Sequence, residues 1–169
     1  AASPSKRFSA YHFFLANPFN KTPRKVCTAN GHYDVLDLET LPDDYLPRTN
    51  YRPMPDRAEY LRRTPRVSWL EPGETRGKPV TDYFRMAHRT MLAQSSERTL
   101  ICALVPPGCG NINTAATTAF RDVHQLVALT GGNASIPIDF FVKTTGRPKA
   151  DPNLMRTLPI LDLVGVNVR

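Results

Sequence analysis

The chain has 169 residues and an apolar fraction of 41%, which is enough for one domain with a hydrophobic core. Its formal net charge is +7, and 16 of its 22 basic residues are Arg. This excess favours an anionic partner, although a genome rich in G and C would produce the same Arg bias. No apolar run is long enough to cross a membrane. The three cysteines lack the paired spacing of a disulfide framework or zinc site, so we expect a reduced, cytoplasmic protein.

The beginning of the chain is predicted to contain little regular structure. Residues 1–10 are small and polar, which indicates a linker or disordered end, and we expect a single domain over 11–169. Because the sequence starts with Ala1 and stops at Arg169, we expect it to be a piece excised from a larger protein. The aromatic stretch 11–19 contains Asn-Pro-Phe, an incomplete form of the Asn-Pro-Pro-Tyr methyltransferase motif. No Gly-rich cofactor loop precedes it, so core packing is the preferred interpretation.

Charge is segregated along the first half. Residues 31–45 carry five acids and no Lys or Arg, whereas 48–98 carry ten Arg and one Lys against six acids. A solvated face would account for such a run equally well. Proline is dense over 42–79, which predicts extended loops with short strands, one of them at 67–69.

A helix is predicted next. Thr81 is a suitable N-cap for a helix that runs to about Ala93. At helical spacing, Arg85, His88 and Arg89 would share one exposed stripe. The apolar residues of the segment would lie on a separate face, formed by Phe84, Ala87 and Met91.

A buried strand and a second helix are predicted after it. The apolar run 99–105 ends at Pro106, which indicates a strand buried on both faces. The helix that follows would bury Phe120, Val123 and Val127 and would end at the Gly pair 131–132.

The third predicted helix has the clearest boundaries. Ser135 is its N-cap, Pro137 lies in its first turn and Gly146 ends it. Its buried face would contain Ile138, Phe141 and Val142. Together these elements predict a mixed α+β fold with a small central sheet, flanking helices and long Pro-rich loops.

The sequence lacks recognisable catalytic motifs. It has no Gly-rich phosphate loop, no dinucleotide-binding fingerprint and no nuclease pattern of acids and Lys. Cys109 lies in a Pro-Gly turn without a neighbouring activating base, which favours a buried thiol over a nucleophile. We therefore predict no catalytic residue, metal site or cofactor in this chain.

Hydrogen-bond donors suited to nucleic acid occur on three loops. Asn111 and Asn113 follow the predicted strand, and Asn can form two hydrogen bonds with adenine; a turn capped by Asn is the alternative. The cations at 143–149 are suited to contact with phosphates, and a solvated loop is the alternative interpretation. The residues of segment 47–52 are suited to contact with nucleic acid. Alternatively, its arginines could form ion pairs that brace it against the acidic segment 31–45. The predicted DNA contacts are Arg48, Asn50, Arg52, Arg85, His88, Arg89, Asn111, Asn113, Lys143, Arg147 and Lys149.

The order of motifs over 83–113 resembles a known family. Arg-x-x-x-Arg at 85–89 is followed by Glu-Arg-Thr-Leu-Ile at 97–101, Pro-Pro-Gly at 106–108 and Asn-Ile-Asn at 111–113. This order resembles the C-terminal region of large adenine-specific DNA methyltransferases of the type IIG-like and BREX- or DISARM-like restriction-modification and phage-defence systems. Segments 45–51, 138–143 and 158–160 resemble the same layout, so the resemblance covers most of 11–163.

The resemblance implies a target recognition domain. Such a domain would recognise a specific sequence in double-stranded DNA, while the methyltransferase half of the same polypeptide holds S-adenosylmethionine and modifies adenine. Asn111 stands where many relatives have His, which leaves the base preference open. Two alternatives remain: a protein–protein docking module that joins a methylase to other defence subunits, and a small hydrolase or nuclease.

Overall fold

A computed structural model describes residues 9–10, 20–29, 31–42, 45, 48–49 and 56–159. Helices and small sheets alternate along this part of the chain, which confirms the α+β class. The aromatic stretch 11–19 lies outside the described residues. The elements are β1 Ser9–Ala10, β2 Lys21–Pro23, β3 Tyr33–Val35, α1 Arg57–Arg63, a 3₁₀ turn Val80–Asp82, β4 Arg85–Arg89, β5 Cys102–Val105, β6 Cys109–Gly110, β7 Ala115–Ala119, α2 Val123–Asn133, α3 Ile136–Thr144 and α4 Pro152–Thr157.

The central sheet is antiparallel, with the strand order β5-β4-β7. Met86 pairs with Leu104 on one side and Thr118 on the other, and these three side chains share one face of the sheet because directly paired residues do. Two smaller pairings complete the described strands. β2 and β3 form an antiparallel hairpin, and β1 pairs in parallel with β6.

The predicted helix from Thr81 to Ala93 is wrong, because residues 85–89 form the central strand β4. Thr81 lies in the 3₁₀ turn instead. The segment alternates Arg85, Ala87 and Arg89 with Met86 and His88, so its pattern also fits the two-residue period of a strand. Pairing with β5 and β7 supplies backbone hydrogen bonds on both edges of β4, and this tertiary pairing overrides the local helical pattern.

The strand predicted over 99–105 is shorter and less buried than expected. β5 covers only Cys102–Val105 and lies at the edge of the sheet. Leu104 is 40% exposed, so the prediction of a strand buried on both faces is wrong. The preceding amides of Thr99 and Leu100 donate instead to the buried carboxylate of Asp139, at 2.8 and 2.7 Å.

Helix α2 buries a different face from the predicted one. Val123 and Val127 are 55% and 52% exposed, whereas Leu126 is buried against the sheet. The helix also continues through the two glycines to Asn133 rather than ending at them. Apolar residues occur around most of α2, so the sequence alone does not identify the face that meets the core.

Helix α3 begins as predicted. The side chain of Ser135 accepts from the amide of Ile138, and Pro137 lies in the first turn. Val142 is fully buried, but Phe141 is 42% exposed and was wrongly assigned to the core. The helix ends at Thr144, and Gly146 follows with a φ of +63°, which a glycine adopts without steric cost.

Among the described residues the core consists of two apolar clusters that meet at Met155. One cluster packs Met86 and Cys102 of the sheet against Leu126 of α2. The other joins the segments after β4 and before β5 to α3 and α4. Its buried members are Leu92, Leu100, Val142, Ala150, Leu154 and Leu158. Met155 packs against both clusters, so α4 connects them.

The proline-rich segment contains a helix that the sequence analysis missed. Asp56 accepts from the amide of Glu59 at 2.8 Å, which caps α1 in the Pro-free interval between Pro55 and Pro65. Residues 67–69 do not form a strand, although Arg66 makes an isolated bridge with Pro79. Within the described part of the chain, no helix has the length and apolar character required to span a bilayer.

Candidate nucleic-acid interface

Three backbone segments lie side by side where β4 ends. The amide of Thr90 donates to the carbonyl of Thr114 at 2.9 Å, and the amide of Ala150 donates to the carbonyl of Thr90 at 2.8 Å. The amide of Leu92 donates to the carbonyl of Pro148 at 2.9 Å. The extension of β4 therefore forms backbone hydrogen bonds with both the loop 111–114 and the segment 147–150.

These segments bring four of the predicted contact residues to the same end of β4. We call the set of Arg89, Asn113, Arg147 and Lys149 the basic edge. Arg89 is half-buried and the other three are exposed. Among the residues that the structure describes, neither Arg89 nor Lys149 forms a side-chain hydrogen bond or ion pair. Both charges therefore remain available to an external anion.

Arg147 is held more firmly than the other two cations. Its guanidinium lies 3.6 Å from the carboxylate of Asp151, and the side chains are 47% and 45% exposed. Its carbonyl accepts from the side-chain amide of Gln94 at 2.8 Å. An exposed ion pair of this kind is weak, so the Arg147 side chain can exchange Asp151 for another anion at little cost.

Arg85 is buried and performs a structural role. It is 1% exposed, and its guanidinium donates to the carbonyl of Cys109 and to the hydroxyl of Thr117. The predicted stripe of Arg85, His88 and Arg89 is wrong, because in a strand His88 points to the face opposite the two arginines. Arg85 connects the sheet to β6 and does not reach the basic edge.

His88 is also buried, on the opposite face. Its Nε2 lies 3.3 Å from the carbonyl of Ala150, which can only accept, so Nε2 carries the hydrogen. Burial lowers the pKa of His88 below the ordinary value, and the hydrogen bond to Ala150 opposes that shift only in part. The neutral ring positions the segment that carries Lys149.

The two asparagines of the loop 111–114 differ in their contacts. Asn111 donates to the carbonyl of Ala115 at 2.6 Å and accepts from Thr117 at 3.5 Å, so it closes the turn as the alternative interpretation predicted. Asn113 is exposed and forms no side-chain hydrogen bond with any described residue. Only Asn113 presents its amide to an external partner.

The remaining predicted contacts lie elsewhere or bond within the chain. Lys143 donates to the carbonyl of Ser96 at 2.9 Å. Arg48 pairs with Asp34 at 3.1 Å, which is the brace to the acidic segment 31–45 that the sequence suggested as an alternative. Asn50 and Arg52 lie outside the described residues.

The glycine-rich loop before Asn111 contacts another part of the same chain. A side chain at Gly110 would overlap the hydroxyl of Tyr60, so the absence of a Cβ lets α1 approach β6. Cys109 is 3% exposed, which confirms the prediction of a buried thiol. The position next to Gly110 is therefore occupied by α1.

Sequence reasoning missed Arg156. It lies in the last turn of α4, is exposed, and forms no ion pair within the described part of the chain. Asp151 followed by Pro152 is a typical helix start, and this signal could have identified the short helix that carries Arg156. No protein-family model, curated protein or solved structure matches this chain.

Proposed function

We propose that the chain recognises double-stranded DNA through the basic edge, as the specificity part of a restriction-modification or phage-defence N6-adenine DNA methyltransferase. One observation carries the proposal: backbone hydrogen bonds join the segments that carry three exposed or half-buried cations to the loop of Asn113, whose side-chain amide bonds no described residue. Cations position a protein on DNA through phosphates, while Asn can form two hydrogen bonds with adenine.

The connection of the segments suits this division of roles. Thr90 bonds the loop that carries Asn113 through its amide and the segment that carries Lys149 through its carbonyl. A base-contacting loop and a phosphate-contacting segment are thus fixed to the same residue of the sheet. The basic edge thus combines a residue for base contact with residues for backbone contact.

The loop that carries Asn113 is held in place by the fold. Asn111 closes it by bonding Ala115, and Thr90 bonds the carbonyl of Thr114 through both its amide and its hydroxyl. A side chain on a loop that is already ordered loses less entropy when it binds. This anchoring supports a role for Asn113 in discriminating between bases.

The test is the salt dependence of binding to short DNA duplexes, measured by fluorescence anisotropy. Lys149→Ala should weaken binding to all sequences and reduce the slope of log affinity against log salt by about one unit. Lys25→Ala is the matched control, because Lys25 is an exposed lysine in the β2–β3 hairpin. Equal effects of the two substitutions would refute the basic edge as the DNA-binding surface.

Asn113→Ala tests base recognition separately. It should leave the salt slope unchanged and reduce discrimination at one base pair by ~1–3 kcal/mol. Binding should be compared across a library of duplexes, and modification sites should be compared in the full-length enzyme. If the Asn113→Ala variant keeps the base preference and the methylation sites of the original protein, the basic edge contacts phosphates and does not recognise bases.

A docking module remains the second candidate, because exposed apolar residues favour it. Val123 and Val127 are exposed four residues apart on α2, and Ile136 and Phe140 are 74% and 65% exposed on α3. Such residues commonly mark protein interfaces. If the chain joins a methylase to other defence subunits, Phe140→Ser should weaken co-assembly with the methyltransferase half, whereas Lys149→Ala should leave it intact.

A further inference from the structure

An apolar pocket of about 560 Å³ lies between the central sheet and α4, on the face that carries Met86 and His88. Its volume falls within the roughly 300–1,000 Å³ typical of small-molecule sites. The apolar side chains that define it are Met86, Ala116, Phe120, Leu129, Met155 and Leu158. The described residues of its lining include no carboxylate, and the cationic group among them is Arg156.

We propose that this pocket binds a small aromatic anion: a system of two or three rings that carries a carboxylate or sulfonate. The proposal does not rest on DNA recognition, because the pocket is formed by other residues than the basic edge. In this proposal Arg156 selects ligands by their charge, and the apolar wall selects them by the size of their ring system.

The wall of the pocket favours an aromatic ligand over an aliphatic one. Met86, Met155 and Phe120 line the pocket together, and sulfur–aromatic and aromatic–aromatic contacts with a ligand would add to the burial of apolar area. Met155 is half-buried and packs against both core clusters, so its unbranched side chain can adapt to the ligand. Thr118 lines the same pocket and adds a hydroxyl at the sheet face.

Arg156 gives the pocket its preference for an anion. It is exposed at the end of α4 and has no ion pair with the described residues, so a ligand does not need to displace an internal carboxylate. His88, which also lines the pocket, is neutral because burial lowers its pKa, and the hydrogen bond to Ala150 opposes that shift only in part. The charge of the site therefore depends on one guanidinium, which forms strong bidentate pairs with carboxylates and sulfonates.

Two dyes that differ mainly in charge test this assignment. We expect 1-anilinonaphthalene-8-sulfonate to bind with one-to-one stoichiometry, and its neutral analogue N-phenyl-1-naphthylamine to bind more weakly. Arg156→Gln should weaken binding of the sulfonate about tenfold and leave the neutral dye unchanged. Arg76→Gln, at another exposed arginine, makes the same change in net charge and should alter neither.

Methionine methyl NMR locates the dye. The methyl signals of Met86 and Met155 should shift on titration, whereas that of Met91, an exposed residue outside the pocket lining, should not. Ala116→Phe should fill the pocket and abolish binding of both dyes, with folding checked by the same spectra. The proposal is wrong if neither Met86 nor Met155 responds, or if Arg156→Gln and Arg76→Gln weaken binding of the sulfonate equally.

Discussion

Residues 85–158 and the described residues between 20 and 63 are stabilised by different interactions. In the first region Leu100 and Val142 are buried in apolar clusters, and a buried carboxylate satisfies backbone amides. In the second region α1 has no buried residue, and the hairpin is braced by ion pairs whose partners are about half exposed. The contrast predicts that the first region determines global stability while the stability of the second responds to salt.

The largest expected effect is at Asp139, which is 5% exposed. Asp139→Ala would leave the amides of Thr99 and Leu100 buried without an acceptor, at a cost of ~3–5 kcal/mol in urea unfolding. Glu97→Ala removes an exposed acid from the same segment and should cost less than ~0.5 kcal/mol. A loss below ~1 kcal/mol for Asp139→Ala would show that this contact does not stabilise the core.

A second test compares two leucines in one segment. Leu100 is 1% exposed and Leu104 is 40% exposed, although the sequence assigned both to a buried strand. Leu100→Ala should cost ~2–5 kcal/mol, and Leu104→Ala less than ~1 kcal/mol, in the free energy of unfolding. Equal costs would restore the original interpretation of a strand buried on both faces.

Acid should destabilise the first region through His88. Burial lowers its pKa in the folded chain, whereas the unfolded chain retains the ordinary value of 6.5. The unfolded state therefore binds a proton first as pH falls, so stability is highest above 6.5 and is lost as pH falls toward the folded pKa. Urea midpoints should decrease from pH 7.5 to pH 5.5, and His88→Gln should reduce this dependence. An unchanged dependence in the variant would assign the effect to other groups.

The smallest expected effect is at Asp34, which pairs with Arg24 at 2.9 Å and with Arg48 at 3.1 Å. All three side chains are about half exposed, so Asp34→Asn should cost no more than ~1 kcal/mol, and less in high salt. Hydrogen exchange of the Leu36 amide, which bonds Asn20 within the hairpin, measures the local change. A loss above ~2 kcal/mol would show that this brace contributes to global folding.

Local signals were sufficient for some elements and insufficient for others. The start of α3 could be predicted because Ser135 and Pro137 act within one turn. β4 could not, because its alternating residues fit both helical and strand periods and its pairing partners lie far along the chain. The buried face of α2 was missed for a related reason: Leu126 and Val127 are both apolar, and only tertiary packing distinguishes them.

The candidate site shows the same division. Composition was enough to single out Asn113, Arg147 and Lys149 as residues suited to nucleic acid, but their DNA contacts remain a prediction. Long-range backbone hydrogen bonds such as Thr90–Thr114 and Leu92–Pro148 bring the segments of these residues together. The sequence has no local signal for such bonds. The same limit explains why Arg85, a charged residue with one buried acceptor in Cys109, was assigned to the surface.

The framework of the basic edge has a consequence for how its specificity could change. Its three segments are joined through main-chain carbonyls, which every residue has, and through main-chain amides, which every residue except proline has. The side chains at 89, 113, 147 and 149 can therefore be exchanged without removing the bonds that align the segments. A library randomised at these four positions should consist mostly of folded proteins, and evolution could alter the partner by the same route while keeping the scaffold constant.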